Sequence, residues 1–134
     1  MKNNKKGFTL IELLIVIGII AILAAAIIIA INPGEQFKQA RNATRWSHMN
    51  SIANGVYSYV ISHGGNYPDC ILDYPATTTV SNCEANLVTD GHIGGIPQDP
   101  STGENYVIRF DNSDQTRIRI SSTAEEAEDV VVIQ

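Results

Sequence analysis

Charge is scarce in this chain and unevenly spread. Charged residues make up 17% of its 134 positions, and nine lysines and arginines face 14 acids, for a net charge of −5. So few cations offer little to a phosphate backbone, which argues against nucleic acid as the default partner. Cysteine is nearly absent: Cys70 and Cys83 are the pair, and no cysteine–histidine spacing suggests zinc. His48, His63 and His92 show no metal-ligand spacing. There is no phosphate-binding loop and no nucleophile elbow, so an enzyme is not expected. The widest gap in charge runs from Leu13 to Ile31, 19 residues that are nearly all Leu, Ile, Val or Ala. As a helix that run spans about 28 Å, close to a bilayer's hydrocarbon thickness of about 30 Å. It excludes a plain cytosolic enzyme and leaves about 100 residues for a soluble domain, with little room for a deep catalytic cleft.

The charges that are present fall into three zones. Lys2, Lys5 and Lys6 make a basic start, and a basic leader before an apolar run stays on the cytoplasmic side. Between Glu35 and His63, Lys38, Arg41 and Arg45 outweigh Glu35 for +2. From Gly64 to Gln134, twelve acids oppose Arg109, Arg117 and Arg119 for −9, a soluble surface that faces away from anionic lipid. In a small domain beyond a membrane segment, Cys70 and Cys83 read as one disulfide.

Three readings compete for the amino terminus. The apolar core is too long for a cleaved secretory signal. A simple anchor accounts for the length and the lysines, but not for Glu12 at the start of the apolar run. A carboxylate in hydrocarbon is costly and usually faces a partner; snorkelling to the headgroups is the plainer explanation.

The third reading comes from the segment Lys5-Lys6-Gly7-Phe8-Thr9-Leu10-Ile11-Glu12-Leu13-Leu14-Ile15-Val16-Ile17. It resembles the class III leader of type IV pilins and pseudopilins, with glycine, phenylalanine and glutamate at the family's spacing ahead of an apolar helix. The resemblance implies cleavage between Gly7 and Phe8 by a prepilin peptidase, methylation of the new Phe8 amine, and drawing of subunits from the inner membrane into a helical filament. It also implies that Glu12 pairs with the Phe8 amine of a neighbouring subunit. The physical chemistry agrees: Gly7 lets a protease approach the backbone, and a cationic amine relieves the cost of Glu12. Gly18 and Ala24-Ala25-Ala26 offer small surfaces for close helix approach, or simply face lipid.

Asn32-Pro33-Gly34-Glu35 interrupts the run. Asn32 is a good N-cap, Pro33 suits the first helical position and Glu35 follows three residues after the cap. A fresh helix is therefore expected to about His63, with Ile52, Ala53, Val56, Tyr59 and Val60 on one apolar face. Lys38, Arg41 and Arg45 recur at three and four as a basic stripe, solvated, facing headgroups, or touching an acidic neighbour. Trp46 is a candidate interface anchor.

Gly64-Gly65-Asn66 carries helix-ending turn chemistry. A loop to about Leu87 follows, with a short edge strand at Thr77–Val80. Glu104–Phe110, Thr116–Ser122 and Asp129–Gln134 alternate as strands of an antiparallel meander. Tyr106, Ile108, Phe110, Ile118 and Ile120 are expected to meet the face of Ile52, Val56 and Val60. The fold class is α+β, a long N-terminal helix packed on a C-terminal antiparallel sheet, which resembles a pilin. The expected divisions are a leader at 1–7, an apolar helix at 8–31, its amphipathic second half at 32–63 and a head at 64–134. Pro97-Gln98-Asp99-Pro100, with Gly103 and Tyr106, is also similar to a segment ahead of the sheet in major pseudopilins of type II secretion.

Some of those pseudopilins bind calcium, and Asp111 and Asp114 are candidate ligands here, although Asp111-Asn112-Ser113-Asp114 lacks the EF-hand pattern and is ordinary turn composition. No other cofactor is expected. The leading function is a structural pilus subunit whose partners are copies of itself, the peptidase and an assembly platform in the inner membrane, with the head outside the cytoplasm. The alternatives are a major pseudopilin of a type II secretion system and a membrane-anchored binding module that never polymerises.

Overall fold

The computed structural model describes residues 7–73, 75–112, 115–124, 127 and 131–133. Residues 1–6 of the expected leader, the calcium candidate Asp114 and positions 129, 130 and 134 of the expected last strand lie outside the described residues. The chain divides into two compact units, Met1–Phe37 and Lys38–Gln134.

The first unit is built on helix α1, Leu10–Ile31. Thr9 caps it in an extended conformation, φ −80° and ψ 152°. Twenty-two residues of helix give about 33 Å of length, and not one of them is buried. Asn32 ends α1 in the left-handed region, φ 46° and ψ 77°, a conformation that asparagine tolerates better than most residues. Asn32 is thus the C-cap of the first helix, and it also holds the expected place ahead of Pro33, its carbonyl accepting from the Glu35 N–H at 3.1 Å. Pro33 opens helix α2, Pro33–Ser62, where its missing N–H costs nothing.

The second unit is the head. Met49, Ile52, Ala53, Val56 and Tyr59 recur at three- and four-residue steps along α2 and are all buried. Fully burying Met49, Ile52 or Val56 contributes about 1.5–3 kcal/mol each. The helix closes where Gly65 N–H reaches back to the Val60 carbonyl at 2.8 Å, with Gly64 and Gly65 at positive φ. That six-to-one bond is the Schellman ending expected of the glycines.

Strands β1 (Thr78–Thr79), β2 (Val107–Phe110), β3 (Ile118–Ser121) and β4 (Val131–Ile133) form one antiparallel sheet in chain order. A 3-10 turn, Val80–Cys83, and a π-helical turn, Ala85–Thr89, lie between β1 and β2. Ile108 opposes Ile120 and Phe110 opposes Ile118, so their side chains share the inner face. These four and Tyr106 join the α2 face in a single core, with Val60 packed against it. Cys70 and Cys83 are disulfide-bonded, S–S 2.06 Å. The bond ties the loop after α2 to a buried cysteine of the 3-10 turn.

Candidate functional site

Gly7, Phe8 and Thr9 precede α1 in non-helical backbone. Phe8 is 86% exposed. A Cβ on Gly7 meets nothing within 4 Å among the described residues beyond its chain neighbours, so their packing does not demand glycine there. Gly7 and Phe8 are both exposed, so the peptide bond between them is not buried by the described residues.

Thr9 and Glu12 form a complete capping box. The Thr9 N–H donates to Glu12 Oε2 at 2.9 Å, the Thr9 hydroxyl donates to the same oxygen at 2.7 Å, and the Glu12 N–H donates to Thr9 Oγ1 at 3.2 Å. Both donors to the carboxylate fall on Oε2, and Oε1 has no partner among the described residues. The box also sets the carboxylate in the first helical turn, where the backbone dipole is positive. Thr9 was overlooked in the sequence, although Thr-x-x-Glu before an apolar run is the capping-box signature.

A second polar site lies inside the head. Arg45 is fully buried and pairs with Asp99: Nε to Oδ2 at 2.7 Å and Nη2 to Oδ1 at 2.9 Å. This corrects the basic stripe, because Arg45 belongs to the interior rather than to solvent or headgroups. It also donates from Nη1 to Asn42 Oδ1 at 2.6 Å and from Nη2 to Ser101 Oγ at 2.7 Å. Asp99 also accepts from the Ser101 and Thr102 backbone and from the Ser101 and Ser122 hydroxyls. The Arg45 guanidinium, with help from these donors, holds the Asp99 carboxyl far below the usual carboxylate range. Burial, followed by the Asp99 charge, pushes the neighbouring Tyr106 phenol up to about 12; its hydroxyl bonds His48 Nδ1 at 3.0 Å. Six hydrogen bonds on Asp99 and a buried guanidinium suit a structural pin between α2 and the turn before β2.

The other candidates are placed as follows. Asp111 is held by Arg119, Nε to Oδ1 at 2.7 Å. Among the described residues no three of His, Cys, Asp and Glu gather to hold a metal ion. Trp46 is 44% exposed.

Residues 2–28 match the prokaryotic N-terminal methylation motif. The chain carries the class III prepilin leader of type IV pilins and pseudopilins. No curated protein and no solved structure matches the chain. The leader puts Gly7, Phe8 and Glu12 inside the matched segment, and α1, the helix that it opens, is long and apolar enough to cross a membrane. A prepilin-type leader on such a helix fits a membrane-anchored precursor and points to a structural protein of the pilin-like kind.

Proposed function

We propose that this chain is a prepilin, a structural subunit of a type IV pilus. The peptidase cuts between Gly7 and Phe8 on the cytoplasmic side of the inner membrane, Phe8 is methylated, and α1 moves from lipid into the core of a filament of identical subunits. The head stays outside the cytoplasm throughout.

One observation carries this reading: the matched leader opens a 22-residue apolar helix of which no residue is buried. The chain leaves that whole surface to other molecules. Lipid covers it in the precursor, and neighbouring α1 helices cover it after extraction. The second lone-pair face of Glu12, left open at Oε1, suits the Phe8 amine of a neighbour, and a charge-assisted bond there offsets the cost of a carboxylate among apolar helices.

The test is immunogold microscopy of filaments sheared from cells expressing the wild type or Glu12→Ala. Label along long filaments in the wild type, lost in Glu12→Ala with the protein retained in the membrane, is the expected result. Normal filaments from Glu12→Ala sink the assembly role of that carboxylate. The pseudopilin reading draws on the segment from Pro97 to Tyr106, and it gains if label never enters the sheared fraction while secretion still depends on Glu12. A static anchor tolerates the substitution in every assay.

A further inference from the structure

Two histidines left unused by this reading stand together at the end of α2. His63 lies in the turn that closes the helix, and His92 lies in the loop after the π-helical turn Ala85–Thr89. Their ring centroids are 6.1 Å apart. Two imidazoles sharing one ion through bonds of about 2.0–2.1 Å place their centroids about 5–6 Å apart, and this pair stands at the edge of that range.

Both rings are held. His63 stacks on Tyr59 with centroids 3.8 Å apart and planes 7° from parallel. His92 meets the same tyrosine edge-on at 5.4 Å. The loop behind His92 is pinned as well: Gly91 takes φ +80°, and the His92 and Ile93 N–H groups both donate to the Leu87 carbonyl, at 2.9 and 2.8 Å.

The hydrogen bonds point the same way. His63 Nδ1 lies 3.0 Å from the Tyr59 carbonyl oxygen. Ser62 Oγ lies 2.9 Å from the same nitrogen and itself donates to that carbonyl at 2.8 Å; in the tautomer that donates to the Tyr59 carbonyl, Nδ1 carries the proton and Nε2 the lone pair. His92 Nδ1 shares a bond with Ser58 Oγ at 2.9 Å, and the serine hydroxyl accepts when that nitrogen is protonated. Neither Nε2 has a partner among the described residues. A backbone carbonyl or hydroxyl on one ring nitrogen, with the other left bare, is the outer-shell arrangement that orients metal-binding imidazoles.

We propose that His63 and His92 form a two-histidine site for a divalent transition metal ion, bound through the two Nε2 atoms with water in the remaining positions. Neutral imidazoles favour copper over nickel and zinc, and they offer little to magnesium. A bound ion ties the last turn of α2 to the loop after the π-helical turn.

The test uses the untagged full chain in detergent, titrated calorimetrically with copper, zinc and magnesium chlorides. The expected result is one copper ion per chain, weaker zinc, no magnesium, and a melting temperature that rises with zinc. His92→Gln and His63→Phe each weaken copper binding about tenfold or more, equivalent to about 1.4 kcal/mol. Phenylalanine keeps a ring on Tyr59 while removing the nitrogen, so a folded His63→Phe separates lost ligation from lost packing. His48→Gln leaves binding unchanged, because that ring is committed to Tyr106. No heat in the wild type, or full affinity retained in both variants, overturns the proposal.

Discussion

At Asp99 two carboxylate oxygens receive six hydrogen bonds, two of them from Arg45. Removing one partner leaves the other charged and dry, which costs about 3–5 kcal/mol. Arg45→Ala and Asp99→Asn are both expected to lose that much in denaturant melts. The pH dependence follows from the direction of the shift. The folded carboxyl sits far below its unfolded value of about 3.9, so the unfolded chain binds a proton in acid that the folded chain refuses. The contribution of Asp99 is therefore complete above about pH 5 and falls away as pH drops below about 4. Melts at pH 7, 5 and 3 are expected to show the wild type losing stability in acid more steeply than Asp99→Asn; parallel losses would remove Asp99 as the cause. Gly55 is a second residue with no latitude. A Cβ placed there collides with Ile93 Cγ2 and comes within 3.6 Å of Ile93 Cβ. Gly55→Ala is expected to destabilise the head by about 1–3 kcal/mol through overpacking, although alanine is the better helix former. Ile93→Ala in the same chain should recover part of that loss, and a double-mutant cycle reads the coupling.

Among the elements, the loop from α2 to the sheet depends most on a covalent tie. Cys70 and Cys83 are 13 apart in sequence, and closing so short a ring contributes about 3 kcal/mol in the chain-entropy model. Reduced protein, or the double serine variant, is expected to melt at lower denaturant with the α2 helix still formed, as followed by far-ultraviolet circular dichroism. The elements themselves were unequally legible. The core face of α2 was readable because its apolar positions recur at helical spacing. The inner faces of β2 and β3 were readable because Ile108, Phe110, Ile118 and Ile120 alternate with Arg109 and Arg119. The strands came out shorter than the alternation suggested: Thr78–Thr79 for β1, and Val107 rather than Glu104 as the start of β2. Asn105 makes only an isolated bridge to Gln98. Arg45 was misread because its spacing from Lys38 and Arg41 marks a surface stripe, while the residue that draws it inward lies 54 positions away. The C-cap role of Asn32 was hidden because its preferences for opening a helix and for ending one in left-handed backbone look alike in sequence. The π-helical turn has no periodic signal at all.

For the whole molecule, the division of labour is set by where the apolar surface goes. The buried apolar core begins at Met49 and runs to Ala127 among the described residues, and α1 contributes nothing to it. The apolar side chains of α1 serve contacts outside the chain, whereas those of α2 and the sheet serve the head. The same holds for the small residue at its centre: a Cβ at Gly18 meets nothing within 4 Å, so any demand for glycine there comes from a neighbouring helix or from lipid. Two expectations follow from this separation. A chain beginning at Lys38 keeps every residue of the described core and the disulfide, and it sheds the apolar helix α1, of which no residue is buried. It is expected to be soluble without detergent, to sediment as a monomer, and to unfold in one cooperative step, at a midpoint that Gly18→Val in the full chain leaves unchanged. The full chain is expected to need detergent or lipid under the same conditions. If the shortened chain instead aggregates or melts without cooperativity, α1 supports the head, and the view of the head as a self-sufficient unit fails.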